Sequence, residues 1–158
     1  MRQVVAIIIF LLSVFVVANT YAKVGTVVSV IDGDTIKVIN EDGLNTVRLY
    51  GIDCPEKKQA YGIAAKDFTD KFVLGKMVDV STVDIDKYGR TVGIVMLGTQ
   101  CLQEQLLLSG YAWVYSNYCK KNFCKSWKSL QSISEGNKIG LWIDPVPVQP
   151  WEWRRIRR

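Results

Sequence analysis

Histidine is absent from all 158 residues of the chain. This absence excludes a Ser-His or Cys-His nucleophile pair, an imidazole general base and a histidine-ligated zinc ion. If the protein is an enzyme, carboxylates, arginines, tyrosines or a cysteine must carry its chemistry. A metal site must then use either four cysteines or oxygen ligands, and oxygen ligands suit a hard cation such as calcium or magnesium.

Cysteine is scarce, and its four positions are Cys54, Cys101, Cys119 and Cys124. No two of them form a Cys-x-x-Cys pair, which argues against a four-cysteine zinc site. In an oxidising compartment four cysteines can form up to two disulfides, with three possible connectivities. The short separation of Cys119 and Cys124 favours a local bridge, which leaves Cys54 to pair with Cys101.

The chain also lacks an apolar run of the roughly 20 residues that a membrane span requires. Its longest run, residues 4–17, follows a single arginine and is followed by small residues that end at Ala22. This pattern predicts a secretory signal peptide over residues 1–22, and an uncleaved membrane anchor is the alternative. We therefore expect an exported monomer, periplasmic or secreted, with no stable membrane association after cleavage.

Positive charge prevails, with 20 Lys and Arg against 15 Asp and Glu and a net charge of +5. A basic surface favours a polyanionic partner. We divide the chain into the signal peptide, a barrel domain over residues 23–143 and a Pro-, Trp- and Arg-rich tail over residues 144–158. The tail could stack bases and hold phosphates. Alternatively, Trp151 and Trp153 dock on the barrel, and this alternative is favoured for the tryptophans.

Five segments have the β-branched, apolar character of strands, at residues 24–31, 35–39, 46–52, 77–83 and 91–97. Apolar residues recur at helical spacing in residues 59–74, 102–109 and 123–133. Five short strands, with one helix after the third and the others near the C-terminus, predict an α+β, mainly β fold. The order fits a five-stranded OB-type β-barrel with about three packed helices.

Two carboxylates lie at strand ends: Asp34 opens the second strand and Asp53 closes the third. A hairpin that turns near Asp42-Gly43 would place Asp34 opposite Ile52 and bring the two carboxylates together. Calcium binds such sets of oxygens. The alternative is that Asp-Gly-Asp-Thr is only a turn, because Asp and Gly are common in turns.

Two further features bear on this site. Arg48 and Asp53 fall on opposite faces of a regular strand, so both reach one site only if the strand bends, and Gly51 is the expected place. Residues 84–89 look like the opening of an EF-hand loop. However, Val95 stands where that loop needs a bidentate glutamate. This segment is therefore predicted to be a turn that delivers Arg90.

Three blocks of the chain resemble the staphylococcal nuclease (thermonuclease) family of calcium-dependent nucleases. They are VIDGDT at residues 30–35, VRLYGIDCPE at 47–56 and DKYGR at 86–90. Residues 110–112, 140–142 and 150–154 resemble the later blocks of that family. The likeness extends across nearly the whole chain after residue 22, in the same order.

The resemblance implies a metal site. Asp34 and Asp53 would be calcium ligands, joined by the backbone carbonyl of Cys54, a position where many relatives have threonine. Asp32 would lie behind these ligands. The implied fold, an OB-type barrel with three helices, agrees with the pattern of strands and helices.

The resemblance also implies an activity, the hydrolysis of DNA and RNA by an endonuclease of low sequence specificity that leaves 3′-phosphate ends. Glu56 would act as the general base or orient the water, while Arg48 and Arg90 would hold the scissile phosphate. Tyr88 would line the nucleotide pocket. The alternative is a barrel of the same fold that binds nucleic acid without cleaving it.

Overall fold

A computed structural model describes residues 22–157. Residues 1–21 of the predicted signal peptide lie outside the described residues. Among the residues that are described, no helix is long and apolar enough to cross a membrane.

The described part of the chain forms strands and α-helices in a mixed order. The strands are β1 (Lys23–Asp32), β2 (Thr35–Asn40), β3 (Gly43–Leu49), β4 (Ile52–Asp53), β5 (Met77–Ile85), β6 (Thr91–Leu97), β7 (Gln100–Cys101) and β8 (Trp113–Val114). The helices are α1 (Gly62–Val73), α2 (Leu102–Leu108), α3 (Cys124–Gly136) and α4 (Pro150–Ile156), with a 3-10 turn at Gly140–Ile143.

The five long strands close into a barrel. They are ordered β3-β2-β1-β5-β6, and β6 also pairs in parallel with β3, which joins the two edges. Val27, Ile36, Val47, Val78 and Val95 point inward and are almost fully buried. These β-branched side chains suit a pleated, half-buried surface, so the strand pattern and the core follow from the same residues. The predicted five-stranded OB-type barrel is confirmed.

Helices α2 and α3 contribute side chains to the core of the barrel. Leu102, Leu106 and Leu107 of α2 are fully buried, and Trp127 of α3 packs in the same core. Buried Gln103 is satisfied by the backbone of β6, because its Nε2 donates to the carbonyl of Gly93 at 2.9 Å. The helices predicted in these segments are confirmed, and α4 brings the number of α-helices in the described residues to four rather than about three.

The predicted register of the β2–β3 hairpin is wrong by three residues. Thr35 pairs with Arg48 and Asn40 pairs with Gly43. The N–H of Leu49, not a group of Ile52, bonds the carbonyl of Asp34 at 2.8 Å. The cause is local: Gly43, with φ +104°, already belongs to β3, so the turn contains only the two residues before it.

The predicted bend at Gly51 brings Asp53 into place instead. β3 ends at Leu49, Gly51 has φ +72°, and β4 then pairs with β8 in a separate two-stranded sheet. A side chain at residue 51 would also collide with the Cys119 sulfur, because a Cβ there would lie 2.7 Å from it. Glycine is therefore required both by the backbone conformation and by the close approach.

One of the two expected disulfides is present. Cys119 and Cys124 are bonded, whereas Cys54 and Cys101 are free and buried. The predicted Cys54–Cys101 bridge is wrong because the two thiols have different surroundings. Cys54 packs against the turn at Gly33, and the Cys101 thiol lies 3.5 Å from Oε1 of Gln103 at the start of α2.

The C-terminal segment is structured. Trp151 on α4 stacks on Tyr115, with ring centroids 4.7 Å apart and planes 5° from parallel, and meets Trp113 edge-on. The side chain of Gln59 adds a polar tie, because its Nε2 donates to the carbonyl of Val148 at 2.6 Å. The favoured docking alternative is confirmed for Trp151, and this stacking holds α4 against β8 and the residue that follows it.

Candidate active site

Asp34, Arg48 and Asp53 form a buried ion-pair cluster at one end of the barrel. Asp34 is 5% and Asp53 1% exposed. Arg48 bridges them, with Nη1 2.7 Å from Oδ1 of Asp34 and Nη2 2.8 Å from Oδ1 of Asp53. The predicted meeting of these three residues is confirmed, and it depends on the bend at Gly51.

The turn that carries Asp34 is fixed by its own atoms and by α1. The N–H of Asp34 donates to Oδ1 of Asp32 at 3.1 Å, and Thr69 of α1 donates its hydroxyl to the carbonyl of Gly33 at 2.7 Å. A Cβ at residue 33 would lie within 3.0 Å of Cys54 and Ala65. The Asp-Gly-Asp sequence is therefore a turn, as the alternative held, and it also aims a carboxylate into the cluster.

The Asp34 carboxylate is held on both oxygens. While Oδ1 pairs with Arg48, Oδ2 accepts the backbone N–H of Cys54 at 2.6 Å. Desolvation raises the pKa of Asp34 to about 8, and the charges of Asp32 and Asp53 add to this, against the opposing effects of Arg48 and the Cys54 N–H. Burial is thus the main obstacle to ionisation of Asp34, and the neighbouring carboxylates add to it.

A hard divalent cation fits this set of donors. Within residues 22–157 no group of three or more Cys, Asp or Glu side chains is arranged to hold a metal. Asp34 and Asp53 would therefore need backbone or water oxygens to complete a coordination shell, which is how calcium sites are commonly built. Arg48 already pairs with both carboxylates, so a bound cation would share Asp34 and Asp53 with this guanidinium.

Glu56 stands at the rim of the cluster, with 39% of its side chain exposed. Its loop is closed by Gln59: the N–H of Glu56 donates to Oε1 of Gln59 at 3.1 Å, and the N–H of Gln59 donates to the carbonyl of Glu56 at 2.7 Å. Gly62 begins α1 directly beneath, where a Cβ would lie 1.8 Å from the Glu56 carbonyl oxygen. The loop therefore presents a partly solvated carboxylate beside a buried one.

Arg154 of α4 is a member of the cluster that the sequence analysis did not single out. Its Nη2 lies 2.7 Å from Oδ2 of Asp53 and its Nη1 2.7 Å from Oε1 of Glu56. Burial opposes its charge, but hydrogen bonds and the charges of these two carboxylates raise its pKa above the ordinary value. The signals available were the arginine-rich tail and an excess of predicted carboxylates over predicted arginines.

In the part of the chain that the structure describes, Arg90 and Tyr88 form no hydrogen bond or ion pair with the cluster and instead interact with each other and with Asp86. Arg90 Nε pairs with Oδ2 of Asp86 at 2.6 Å, and its guanidinium lies 5.5 Å from the ring centre of Tyr88, which is exposed. Desolvation opposes ionisation of Asp86, but backbone and side-chain hydrogen bonds from Arg90 and one from the Tyr88 N–H outweigh it and lower its pKa. The predicted turn is confirmed for residues 86–89, whereas residues 84 and 85 belong to the end of β5.

The position of Arg90 follows from strand pairing. Val92 of β6 pairs with Arg48 of β3, and Arg90 precedes Val92 by two residues, the spacing that places side chains on one face. Strand pairing therefore brings the start of β6, which directly follows Arg90, alongside Arg48. Of the residues assigned to the site, Asp34, Arg48 and Asp53 are in direct contact, Glu56 joins them through Arg154, and Arg90 stands apart.

Comparison with known proteins shows similarity along the chain. A family described as staphylococcal nuclease homologue matches residues 46–144. An "uncharacterized endonuclease" of Escherichia coli O157:H7 is 38% identical over 155 residues, covering 98% of both chains. A "micrococcal nuclease" of Shigella flexneri is 33% identical, covering 100% of this chain and 94% of its own.

A plant relative shares a shorter region. The "probable staphylococcal-like nuclease CAN1" of Oryza sativa subsp. japonica is 41% identical over 112 residues, which is 71% of this chain and 33% of that protein. The bacterial relatives match nearly end to end, and the family match covers more than half of this chain. The chain therefore belongs to the staphylococcal nuclease family.

Proposed function

We propose that the protein is a calcium-dependent endonuclease that hydrolyses phosphodiester bonds of DNA and RNA with low sequence specificity and leaves 3′-phosphate ends. The observation that carries the proposal is the buried Asp34–Arg48–Asp53 cluster with Glu56 at its rim. Family membership supports a nuclease. The calcium requirement, the range of substrates and the product ends belong to the proposal.

Asp34 and Asp53, with the backbone carbonyl of Cys54, would hold the cation. A bound calcium ion would polarise a phosphoryl oxygen and offset the negative charge that develops during hydrolysis. Arg48 and Arg90 would serve the same end, because a guanidinium donates two parallel hydrogen bonds to a phosphate. Asp32 would orient the turn behind Asp34 rather than bind the ion.

Glu56 is the candidate for handling the attacking water. Without histidine in the chain, a carboxylate is the natural general base or water-positioning group. Glu56 is the exposed carboxylate of the cluster, and Arg154 fixes one of its oxygens at 2.7 Å. Tyr88, exposed beside Arg90, would border the nucleotide.

A second part of the proposal concerns the location and the oligomeric state of the protein. We propose that it is exported to the periplasm or the medium and acts there as a monomer without stable membrane association. The Cys119–Cys124 disulfide supports an oxidising compartment, because such bonds are rare in the cytosol.

The second candidate is a barrel that binds nucleic acid without cleaving it. The experiment that separates the two is incubation of the purified protein with plasmid DNA and with single-stranded RNA, in calcium and in a calcium chelator. Degradation of both substrates only in calcium is the expected result. Binding without degradation would favour the second candidate.

Glu56→Gln tests the role of the carboxylate. We expect nucleic-acid binding to persist while cleavage falls by about 100-fold or more, the usual contribution of general acid-base catalysis. Binding is measured by fluorescence anisotropy and cleavage from the initial rate on the same oligonucleotide. Unchanged turnover in this variant would show that another group handles the water.

A further inference from the structure

A groove runs beside the cluster between α4 and the loop that follows Glu56. Its volume is about 510 Å³, and its walls come from residues 31–32, residues 56–58 and one face of α4. Glu56 and Arg154 both line it, so the groove adjoins the site proposed to cleave phosphodiesters. Trp153 and Arg157 line it as well.

The charge of the groove is mostly positive and mostly uncompensated. Lys57, Lys58 and Arg157 are exposed, and none of them forms an ion pair within the described residues 22–157. Arg157 lies over the Trp153 ring, 4.5 Å from its centre. Two carboxylates also line the groove: Glu56 is neutralised by Arg154, and Asp32 accepts the Asp34 N–H.

The arginines of the C-terminal segment differ in whether they line the groove and in whether they form an ion pair. Arg154 belongs to α4, Arg157 directly follows its last residue, and both side chains line the groove. Arg155 does not line the groove and pairs with Oε2 of Glu152 at 2.5 Å. Of the two arginines that line the groove, Arg154 pairs with the carboxylate of Glu56. Arg157 therefore remains to pair with an external anion.

We propose that this groove is a binding subsite for one strand of the nucleic acid, holding the phosphates and a base adjacent to the scissile bond. This inference rests on the proposed function, because Glu56 lines the groove. Lys57, Lys58 and Arg157 pair with backbone phosphates, and the half-buried Trp153 ring contacts a base or sugar. Cations combined with an aromatic side chain are the usual means of binding a single strand.

The size of the groove indicates how much of a nucleic acid it can hold. Its volume is in the range of a pocket for a small organic ligand, which corresponds to about one or two nucleotides. An unpaired strand can turn a base toward the Trp153 ring, whereas a duplex keeps its bases paired and stacked inside the helix. We therefore expect the subsite to favour single-stranded over double-stranded substrates of equal length.

The test compares two triple variants with equal charge loss. K57Q/K58Q/R157Q removes the groove cations, and K71Q/K125Q/R155Q removes three exposed cations that do not line the groove. Binding of a fluorescent single-stranded DNA of about 12 nucleotides is measured in chelator at several salt concentrations, with a matched duplex as a second probe. Thermal unfolding verifies that both variants are folded.

The groove variant should lose about 10-fold or more in affinity for the single strand. Its slope of log affinity against log salt should become shallower by about 2, since each lost phosphate contact contributes about 0.7 for single strands. The control variant should retain most of both. Equal losses in the two variants would overturn the subsite, as would a loss confined to the duplex.

Cleavage in calcium, measured on the same proteins, keeps this test separate from the proposed function. If the unaltered protein degrades nucleic acid while both triple variants bind the strand alike, the subsite is overturned and the nuclease stands. If the unaltered protein neither binds nor degrades nucleic acid in calcium, the proposed function fails and the subsite fails with it.

Discussion

Arg154 is the residue whose position says most about the cation site. It is bidentate on Asp53, with contacts of 2.7 and 3.2 Å, and it also holds Glu56. A guanidinium and a divalent cation would therefore compete for the same carboxylate. In a cluster of this kind, the charge of a resident arginine should lower the affinity for calcium even if the two do not overlap.

Arg154→Gln should consequently bind calcium more tightly, by about 10-fold. Two unit charges 4 Å apart interact by about 4 kcal/mol at an effective dielectric constant near 20, and partial exposure of Arg154 reduces this. Isothermal titration of calcium without nucleic acid measures the effect. Arg155→Gln removes an equal charge from the same helix and should change little; weaker calcium binding in R154Q would mean that Arg154 supports the ligands instead.

The reactivity of the Cys54 and Cys101 thiols tests the disulfide pairing found in the structure. Cys54 and Cys101 are buried, and desolvation raises the pKa of both thiols, so they remain protonated and unreactive at neutral pH. We expect a thiol reagent to label the native protein slowly and to label two thiols after unfolding without reductant. Counting the labels by mass spectrometry checks this, and no labels after unfolding would indicate a second disulfide.

At the scale of elements, the break between β3 and β4 brings Asp53 to Arg48 and so forms the cluster. Gly51 allows it with φ +72°, and a Cβ at this position would lie 2.7 Å from the Cys119 sulfur and 3.1 Å from the Trp127 ring. Gly75 has nearly the same conformation, φ +74°, but a Cβ there would meet nothing within 4 Å. Substitution of these two glycines therefore distinguishes the cost of backbone strain from the cost of steric crowding.

Gly75→Ala should cost about 1 kcal/mol, the strain of a positive φ. Gly51→Ala should cost about 2–4 kcal/mol, because overpacking adds about 1–3 kcal/mol to the same strain. Chemical denaturation at constant pH gives both free energies of unfolding. Equal losses in the two variants would show that the contact with Cys119 relaxes without cost.

The elements also show what the sequence could predict. The five long strands followed from alternation and β-branched residues, and the bend followed from the need for Arg48 and Asp53 to meet. The register of the β2–β3 hairpin could not be predicted in this way, because it depends on whether Gly43 belongs to the turn or to β3. Helix α4 has seven residues, too few to establish a helical period, and its stacking on Tyr115 is a tertiary contact.

Arg154 could not be predicted for a related reason. It is separated by 98 residues from Glu56, and its approach depends on the path of residues 144–149 after the barrel. From the composition of the tail alone, its arginines could contact either solvent or nucleic acid. The structure shows a third partner, the acidic cluster itself, because two buried carboxylates and Glu56 exceed the charge of Arg48.

For the whole molecule, the cluster joins parts of the chain that are distant in sequence. Asp34 follows β1, Asp53 ends β4 and Arg154 belongs to the C-terminal helix, so a cation bound at the carboxylates stabilises contacts across the fold. A ligand that binds only the folded state stabilises it by mass action, by about 2.7 kcal/mol at 100 times its dissociation constant.

Calcium should therefore raise the melting temperature by about 5–10 °C at that concentration, given roughly 2–4 °C per kcal/mol for a chain of this size. Differential scanning calorimetry without nucleic acid measures the shift, and a chelator should reverse it. Asp53→Asn should lose the shift relative to its own metal-free baseline, whereas D67N, which alters an exposed carboxylate of α1, should keep it. A shift that persists in D53N would place the calcium elsewhere, because Asp53 is the carboxylate common to Arg48, Arg154 and the proposed ion.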